Sequence, residues 1–187
     1  MKGLGFMKKI VTLLLAVLLV IGISGCSSEK KDEPKQFDTG YGLVLTLPSN
    51  CKAEEVDEQT KTDKGINFSF SNEDALQSAS DAEFAKKVLV VLGGVQSFES
   101  LGITAEDIKS GDITLYDYAV AVADDENLKV TDHGGYCDFD YVLNDIYYKV
   151  ATWMSDKDFY FVNYACYDSS TEMKALIDQY IKQVTVK

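Results

Sequence analysis

The sequence predicts an α+β fold in which helices cover both faces of an antiparallel β-sheet. Three consecutive runs rich in aromatic and β-branched residues, joined by short polar turns, indicate antiparallel strands at Tyr136–Leu143, Ile146–Met154 and Phe159–Tyr167. In the last two runs, apolar side chains occupy both alternating faces, so this sheet needs cover on both sides. Helical patterns before and after these runs can supply that cover. The predicted architecture is therefore an α/β/α sandwich.

Two further strands are predicted in the first part of the chain. Gly40–Leu47 has the composition of a strand, and the turn residues Pro48, Ser49 and Asn50 end it. Gly65–Phe70 alternates apolar and polar residues, which predicts a strand with one buried face.

A helix is predicted to follow these strands. Ser80 and Glu83 have the spacing of a capping box, and the apolar residues that follow recur at helical spacing: Phe84, Val88, Val91 and Leu92. The pair Gly93-Gly94 is expected to end this helix.

Three shorter helical signals follow in the chain. Thr104 is a suitable cap for a helical turn that extends to Ile108. Residues 114–127 fit either a helix or a strand by periodicity, and we favour a helix because Thr114 and Asp117 form a capping pair. Ser169 and Glu172 predict the start of a C-terminal helix whose apolar stripe consists of Met173, Leu176, Ile177, Tyr180 and Val184.

The N-terminal residues have the pattern of an export signal. A short basic region at Met7–Lys9 precedes the apolar run Ile10–Ile21, which is roughly half the ~20 residues that a membrane-spanning helix needs. The run closes with Ile-Ser-Gly and Cys26, which resembles the lipobox of bacterial lipoproteins. We therefore expect residues 1–25 to be a lipoprotein signal peptide, with Cys26 the site of lipid attachment. Residues 26–39 are predicted to be a flexible linker and residues 40–187 a single domain.

The charge of the chain argues against some classes of partner. The formal net charge is −12, and it becomes more negative once residues 1–25 and their three lysines are removed. Every basic residue is lysine, and arginine is absent. Since nucleic acids and anionic headgroups are bound by basic surfaces, we expect no nucleic acid partner and expect membrane attachment to come from the lipid.

The order of elements resembles that of PsbP-like lipoproteins of low-GC Gram-positive bacteria. The resemblance spans Gly40 to Lys187 and is carried by the opening Gly-Leu-Val-Leu-Thr-Leu-Pro-Ser, the middle helical section, the meander that ends in Phe-Tyr-Phe-Val-Asn-Tyr-Ala-Cys, and the C-terminal helix. The resemblance implies a protein that docks to a partner without catalysis, since photosystem accessory proteins and a Ran-binding import factor share this fold. We therefore expect a non-catalytic, membrane-anchored binding or accessory module on the extracytoplasmic side, with a protein partner.

The cysteines and the histidine do not favour catalysis. Cys51, Cys137 and Cys166 remain after acylation of Cys26; a disulfide is open to any two of them, but we favour buried free thiols. His133 is the only histidine, and Asp132 beside it is poorly placed to orient its ring. An extended chain would place Cys137 roughly 13 Å from His133. We therefore predict a turn histidine before two glycines, no cofactor and no enzymatic activity.

Two surface hypotheses remain. Asp138 and Asp140 share one face of a strand that we place near the edge of the sheet, and they are the first candidates if a metal such as calcium binds. Trp153 lies near a strand end, which makes it the candidate for an aromatic residue that is partly exposed and available to a partner. Burial in the core is the alternative that we favour, because both faces of that sheet are predicted to be covered. The alternative functions are a small-ligand or calcium-binding surface protein and an extracytoplasmic enzyme.

Overall fold

Ten strands and four helices make up the part of the chain that the structure, a computed structural model, describes: residues 33–72 and 88–187. The strands are β1 (Lys35–Asp38), β2 (Leu43–Leu47), β3 (Cys51–Glu54), β4 (Phe68–Asn72), β5 (Leu89–Ser97), β6 (Thr131–Asp132), β7 (Cys137–Leu143), β8 (Ile146–Met154), β9 (Asp158–Cys166) and β10 (Thr185–Val186). The helices are α1 (Glu58–Lys64), α2 (Ala105–Ser110), α3 (Leu115–Ala123) and α4 (Thr171–Lys182).

A seven-stranded antiparallel sheet with the order β3-β4-β5-β9-β8-β7-β6 forms the centre of the fold. The predicted meander is confirmed, since β7, β8 and β9 are consecutive neighbours. Nearly every residue of β8 and β9 is buried, which agrees with the prediction that both of their faces are covered. Strand β7 lies near the edge as predicted, because beyond it only the two-residue β6 is paired.

The prediction of a helix that starts at Ser80 is wrong for the second half of that segment. Leu89–Ser97 is β5, which lies between β4 and β9 in the middle of the large sheet. Its neighbour β4 is buried on both faces, not on one as expected. The beginning of the predicted helix, including Ser80 and Glu83, lies outside the described residues.

One face of the large sheet is covered by α4 and by a second, smaller sheet. This sheet has the order β1-β2-β10, and its central strand places Leu43, Leu45 and Leu47 in the core with no exposed surface. The ring of Phe37 in β1 meets Phe70 of the large sheet edge-on, with 5.5 Å between the ring centroids. The predicted linker was therefore too long, because β1 already belongs to the folded part of the chain.

The opposite face is covered by α3, with α2 beside it. Tyr118 of α3 stacks on Phe159 of β9 at 4.3 Å between ring centroids, and its hydroxyl donates to Gln96. Both predicted caps are confirmed, since Thr104 and Thr114 each form a capping box with an aspartate three residues later. Helices thus lie on both faces of an antiparallel sheet, and the predicted fold class is confirmed.

The cap of α4 and the predicted signal peptide lie towards the two ends of the chain. The N-cap of α4 is Ser170, whose hydroxyl accepts from the Met173 amide, so the predicted cap at Ser169 is wrong by one residue. The predicted signal peptide and Cys26 lie outside the described residues. Among the helices that the structure describes, none has the length and apolar character required to cross a membrane.

Candidate functional site

A buried lysine surrounded by carboxylates lies on the α4-facing side of β7 and β8. Lys149 of β8 is opposite Asp140 of β7 in the strand register, and its side chain also reaches Asp138. The Lys149 Nζ lies 3.1 Å from Asp138 Oδ1 and 3.9 Å from Asp140 Oδ1. Helix α4 contributes Asp178, whose Oδ1 lies 3.7 Å from the same Nζ. We call these four residues the Lys149 cluster.

The members of the Lys149 cluster differ in burial. Lys149 is 8% exposed and Asp138 is 6% exposed, whereas the side chains of Asp140 and Asp178 are about half exposed. Two charges buried to this extent are tolerated only as a pair, because each alone would lose its hydration without compensation. Lys149 and Asp138 therefore form the centre of the cluster, and the other two carboxylates are its solvated rim.

The aspartates that we named as the first candidates if a metal binds thus have an ammonium group as their cation. Lys149 Nζ contacts both Asp138 and Asp140, so a metal ion at these oxygens would have to displace it. In the described ranges, no group of three or more histidine, cysteine, aspartate or glutamate residues is arranged to hold a metal ion.

His133 joins this cluster through a tight hairpin. Its backbone amide donates to the Tyr136 carbonyl, and Gly134 between them has a positive φ of 81°, which glycine adopts without strain. The hairpin brings His133 Nε2 to 3.1 Å from the second carboxylate oxygen of Asp138. The imidazole also stacks on the Tyr136 ring at 4.4 Å between centroids. His133 is a turn histidine as predicted, but the carboxylate that orients it is five residues away, which the sequence reasoning missed.

The same hairpin brings Asp132 directly opposite Cys137. The expected 13 Å separation of His133 and Cys137 assumed an extended chain, and it does not apply where the chain reverses. Cys137 is only 1% exposed, and burial raises the pKa of its thiol to about 11. A thiol with this pKa is almost entirely protonated near neutral pH and is a poor nucleophile. Cys51 and Cys166 are also buried free thiols, as predicted.

Trp153 is buried, which is the alternative that the predicted cover on both faces of its sheet favoured. It is 4% exposed, and its ring lies 6.1 Å from that of Tyr136 in the core between the large sheet and α4. The small sheet adds to the cover of this face. Trp153 therefore has no surface to offer a partner in this structure.

A concave surface lies at the opposite edge of the large sheet, where the sequence reasoning identified no site. We call it the Tyr41 cleft; its volume is about 310 Å³, and it lies between the β1–β2 turn, the β3–α1 segment and the start of β4. Its lining combines aromatic and acidic side chains with one lysine: Tyr41, Phe68, Phe70, Asp38, Glu54, Glu55, Asp57, Glu58 and Lys61.

The fold has a counterpart among solved structures. The solution structure of cyanobacterial PsbP (CyanoP) from Synechocystis sp. PCC 6803 aligns with 88% of this chain and 99% of that chain, at a TM-score of 0.50 and 14% identity. The chain has a PsbP-like fold. At this identity the likeness extends to the fold alone.

Two other similar structures are more distant. A crystal structure from Bacteroides thetaiotaomicron VPI-5482 has a TM-score of 0.40 and 10% identity, covering 84% of this chain and 49% of that chain. A crystal structure of LpqN, involved in cell envelope biogenesis of Mycobacterium tuberculosis, has a TM-score of 0.37 and 12% identity, covering 84% and 86%. At these TM-scores neither supports a conclusion about this chain. No family model and no curated protein matches the sequence.

Proposed function

We propose that the protein is anchored through a lipid on Cys26 to the extracytoplasmic face of the cell membrane. There it acts as a non-catalytic binding or accessory module for a protein partner. The anchor is supported by the basic region, the short apolar run and the Ile-Ser-Gly-Cys26 closure of the N-terminus. The polar residues between Cys26 and β1 at Lys35 supply a spacer between membrane and domain.

The observation that carries the non-catalytic role is the mutual pairing of the polar groups at the sheet edge. One oxygen of Asp138 faces Lys149 and the other faces His133. The sulfur of Cys137 is buried, and burial holds its pKa above its ordinary value. These are the side chains on which general acid–base or nucleophilic chemistry would depend, and their partners are other side chains of the fold.

The anchor is tested by metabolic labelling with an alkyne analogue of palmitate, followed by membrane fractionation. Cys26→Ala should abolish the label and shift the protein out of its mature membrane-bound form. Cys51→Ala is the matched control, because it removes a buried cysteine and leaves the acylated one in place. Retention of Cys26→Ala in the membrane at the normal mature mass would contradict the anchor.

A second candidate function is a small-ligand-binding surface protein, and the Tyr41 cleft is the observation that favours it. Its volume of about 310 Å³ lies at the lower end of the range typical of ligand sites, roughly 300–1,000 Å³. Its walls combine aromatic rings with polar groups, as such sites do.

A further inference from the structure

The Tyr41 cleft has an aromatic wall. Tyr41 is 37% exposed, and its ring is stacked near that of Phe68 with 6.4 Å between centroids and 30° between planes. Phe68 itself is buried, so the pair presents the tyrosine ring to the cleft on a fixed support. The face of such a ring attracts ammonium and guanidinium groups.

The rim of the cleft carries more negative than positive side chains. Five carboxylates line it, from Asp38, Glu54, Glu55, Asp57 and Glu58, against the single Lys61. Some of these carboxylates have structural roles: Asp57 caps α1 through Thr60, and Glu54 accepts from the Ser71 hydroxyl at 2.6 Å. The remaining negative charge adds to the field of a chain whose net charge is −12.

Two lysines of the chain itself pair with carboxylates that line the cleft. Lys61 Nζ lies 2.6 Å from Glu58, and this hydrogen bond raises the pKa of Lys61, with smaller favourable contributions from Tyr41 and Glu55. At the other end of the cleft, Lys187, which follows β10, pairs with Asp38. Alkylammonium groups from two distant parts of the chain thus already lie on carboxylates that line the cleft.

We propose that the Tyr41 cleft binds an alkylammonium group of a ligand, held by the Tyr41 ring and by the Glu55 and Glu58 carboxylates. Lys61 is then an internal competitor, because the ligand cation and the Lys61 ammonium share Glu58. This inference rests on the proposed binding role of the protein and assigns the chemistry that its ligand presents. The group can come from a lysine of a protein partner or from a small free amine.

The two sources are separated by two probes, titrated into the full lipidated chain in a nonionic detergent by calorimetry at physiological salt. The probes are acetyl-Gly-Lys-Gly-Lys-Gly-amide and 1,5-diaminopentane. If the natural ligand is a lysine of a protein partner, the peptide should bind more tightly than the diamine, because the peptide backbone adds contacts. If the natural ligand is a small free amine, the diamine should bind more tightly. Failure of both probes to bind would overturn the proposal.

Variants of the cleft should change the affinity for the probes in opposite directions, depending on whether they remove a ligand contact or the competing lysine. Tyr41→Ala should weaken binding about 3- to 5-fold, because it removes an exposed cation–π contact. Glu55→Gln should weaken it as well, by removing one carboxylate from the rim. Lys61→Met should strengthen binding, because it releases Glu58 from its internal partner. Glu106→Gln, a change of the same charge on α2 outside the cleft, should leave the affinity unchanged.

Equal weakening by Glu106→Gln and Glu55→Gln would show diffuse attraction to an acidic protein and would overturn the site. Unchanged affinity in Tyr41→Ala, with an unchanged melting temperature as the check on folding, would do the same. A protein partner that co-purifies equally with wild type and Tyr41→Ala would refute the cleft and leave the proposed function intact. If the probes bind in a way that depends on Tyr41 and Glu55, but no protein partner co-purifies from the membrane, the cleft would be supported and the proposed role with a protein partner would be refuted.

Discussion

Replacement of Lys149 by methionine should destabilise the fold strongly, because this lysine is buried on the α4-facing side of β8. Methionine keeps much of the volume of the lysine stem and removes the ammonium. At 3.1 Å and an effective dielectric constant of ~20, the attraction between Lys149 and Asp138 is about 5 kcal/mol before desolvation is subtracted. The attractions to Asp140 and Asp178 are smaller, because both carboxylates are about half exposed and are screened by water.

The expected cost of Lys149→Met is about 3–5 kcal/mol in the free energy of unfolding, since Asp138 would remain buried with only His133 as a polar partner. The double variant Lys149→Met/Asp138→Asn should recover at least about 2 kcal/mol relative to the sum of the single variants. Removing both charges also removes the unpaired one, which is the origin of the cost.

The assay is urea unfolding at pH 7 followed by far-ultraviolet circular dichroism, with equal m-values as the condition for comparison. Lys187→Met is the control, because its ion pair with Asp38 is exposed and its loss should leave the unfolding midpoint nearly unchanged. A cost below about 1 kcal/mol for Lys149→Met would refute the reasoning, and so would strict additivity in the double variant.

Three further predictions concern the core. Burial raises the pKa of the Cys51 thiol to about 12 and those of the other two described thiols to about 11. The contribution of these thiols to stability should therefore fall between about pH 9 and pH 11, by about 1.4 kcal/mol per thiol and pH unit, because the unfolded chain loses the thiol protons first. Unfolding free energies that stay flat over this range would contradict this. Trp153, the only tryptophan, should show blue-shifted emission resistant to acrylamide, and Trp153→Ala should cost about 3–5 kcal/mol; quenching as in the unfolded chain would exclude the buried position. Gly94→Ala should cost about 3 kcal/mol or more, because its Cβ would lie 1.9 Å from the Gly65 carbonyl oxygen, whereas the control Gly135→Ala has open space around its Cβ and should leave the melting temperature nearly unchanged.

Local signals in the sequence predicted much of the fold correctly. Thr104 and Thr114 each have an aspartate three residues later, and a capping box is formed within one turn whatever surrounds it. The meander was also predictable, because short turns connect strands that are neighbours in the chain.

The failure at β5 has a physical reason. Val88, Val91 and Leu92 recur at helical spacing, but a strand buried on both faces is apolar throughout, and it therefore matches a buried helix equally well. The glycines Gly93 and Gly94 were interpreted as a helix end. In the structure they allow β5 to approach Phe68, Phe161 and the Gly65 backbone more closely than any side chain would permit. That requirement comes from neighbouring strands, so a pattern along one segment does not contain it.

The candidate site was predictable only in part. The sequence placed Asp138 and Asp140 on one face of a strand, and this is correct. Their cation and the rim carboxylate on α4 depend on strand register and helix packing. The Tyr41 cleft is lined by residues between Asp38 and Phe70, and it forms where the β1–β2 turn, the β3–α1 segment and β4 meet. Lys187 pairs with Asp38 of this lining from the far end of the domain, and no local pattern brings those two together.

The most direct test of the proposed function is a native mass spectrum of the lipidated protein, released from its own membrane in mild detergent. The account predicts a complex whose mass is that of the acylated chain plus a second protein. It also predicts that this complex is missing from the Cys26→Ala preparation, in which the chain is not held at the membrane. A spectrum of the acylated chain alone, or of the chain with a bound small molecule in place of a protein, would contradict the account.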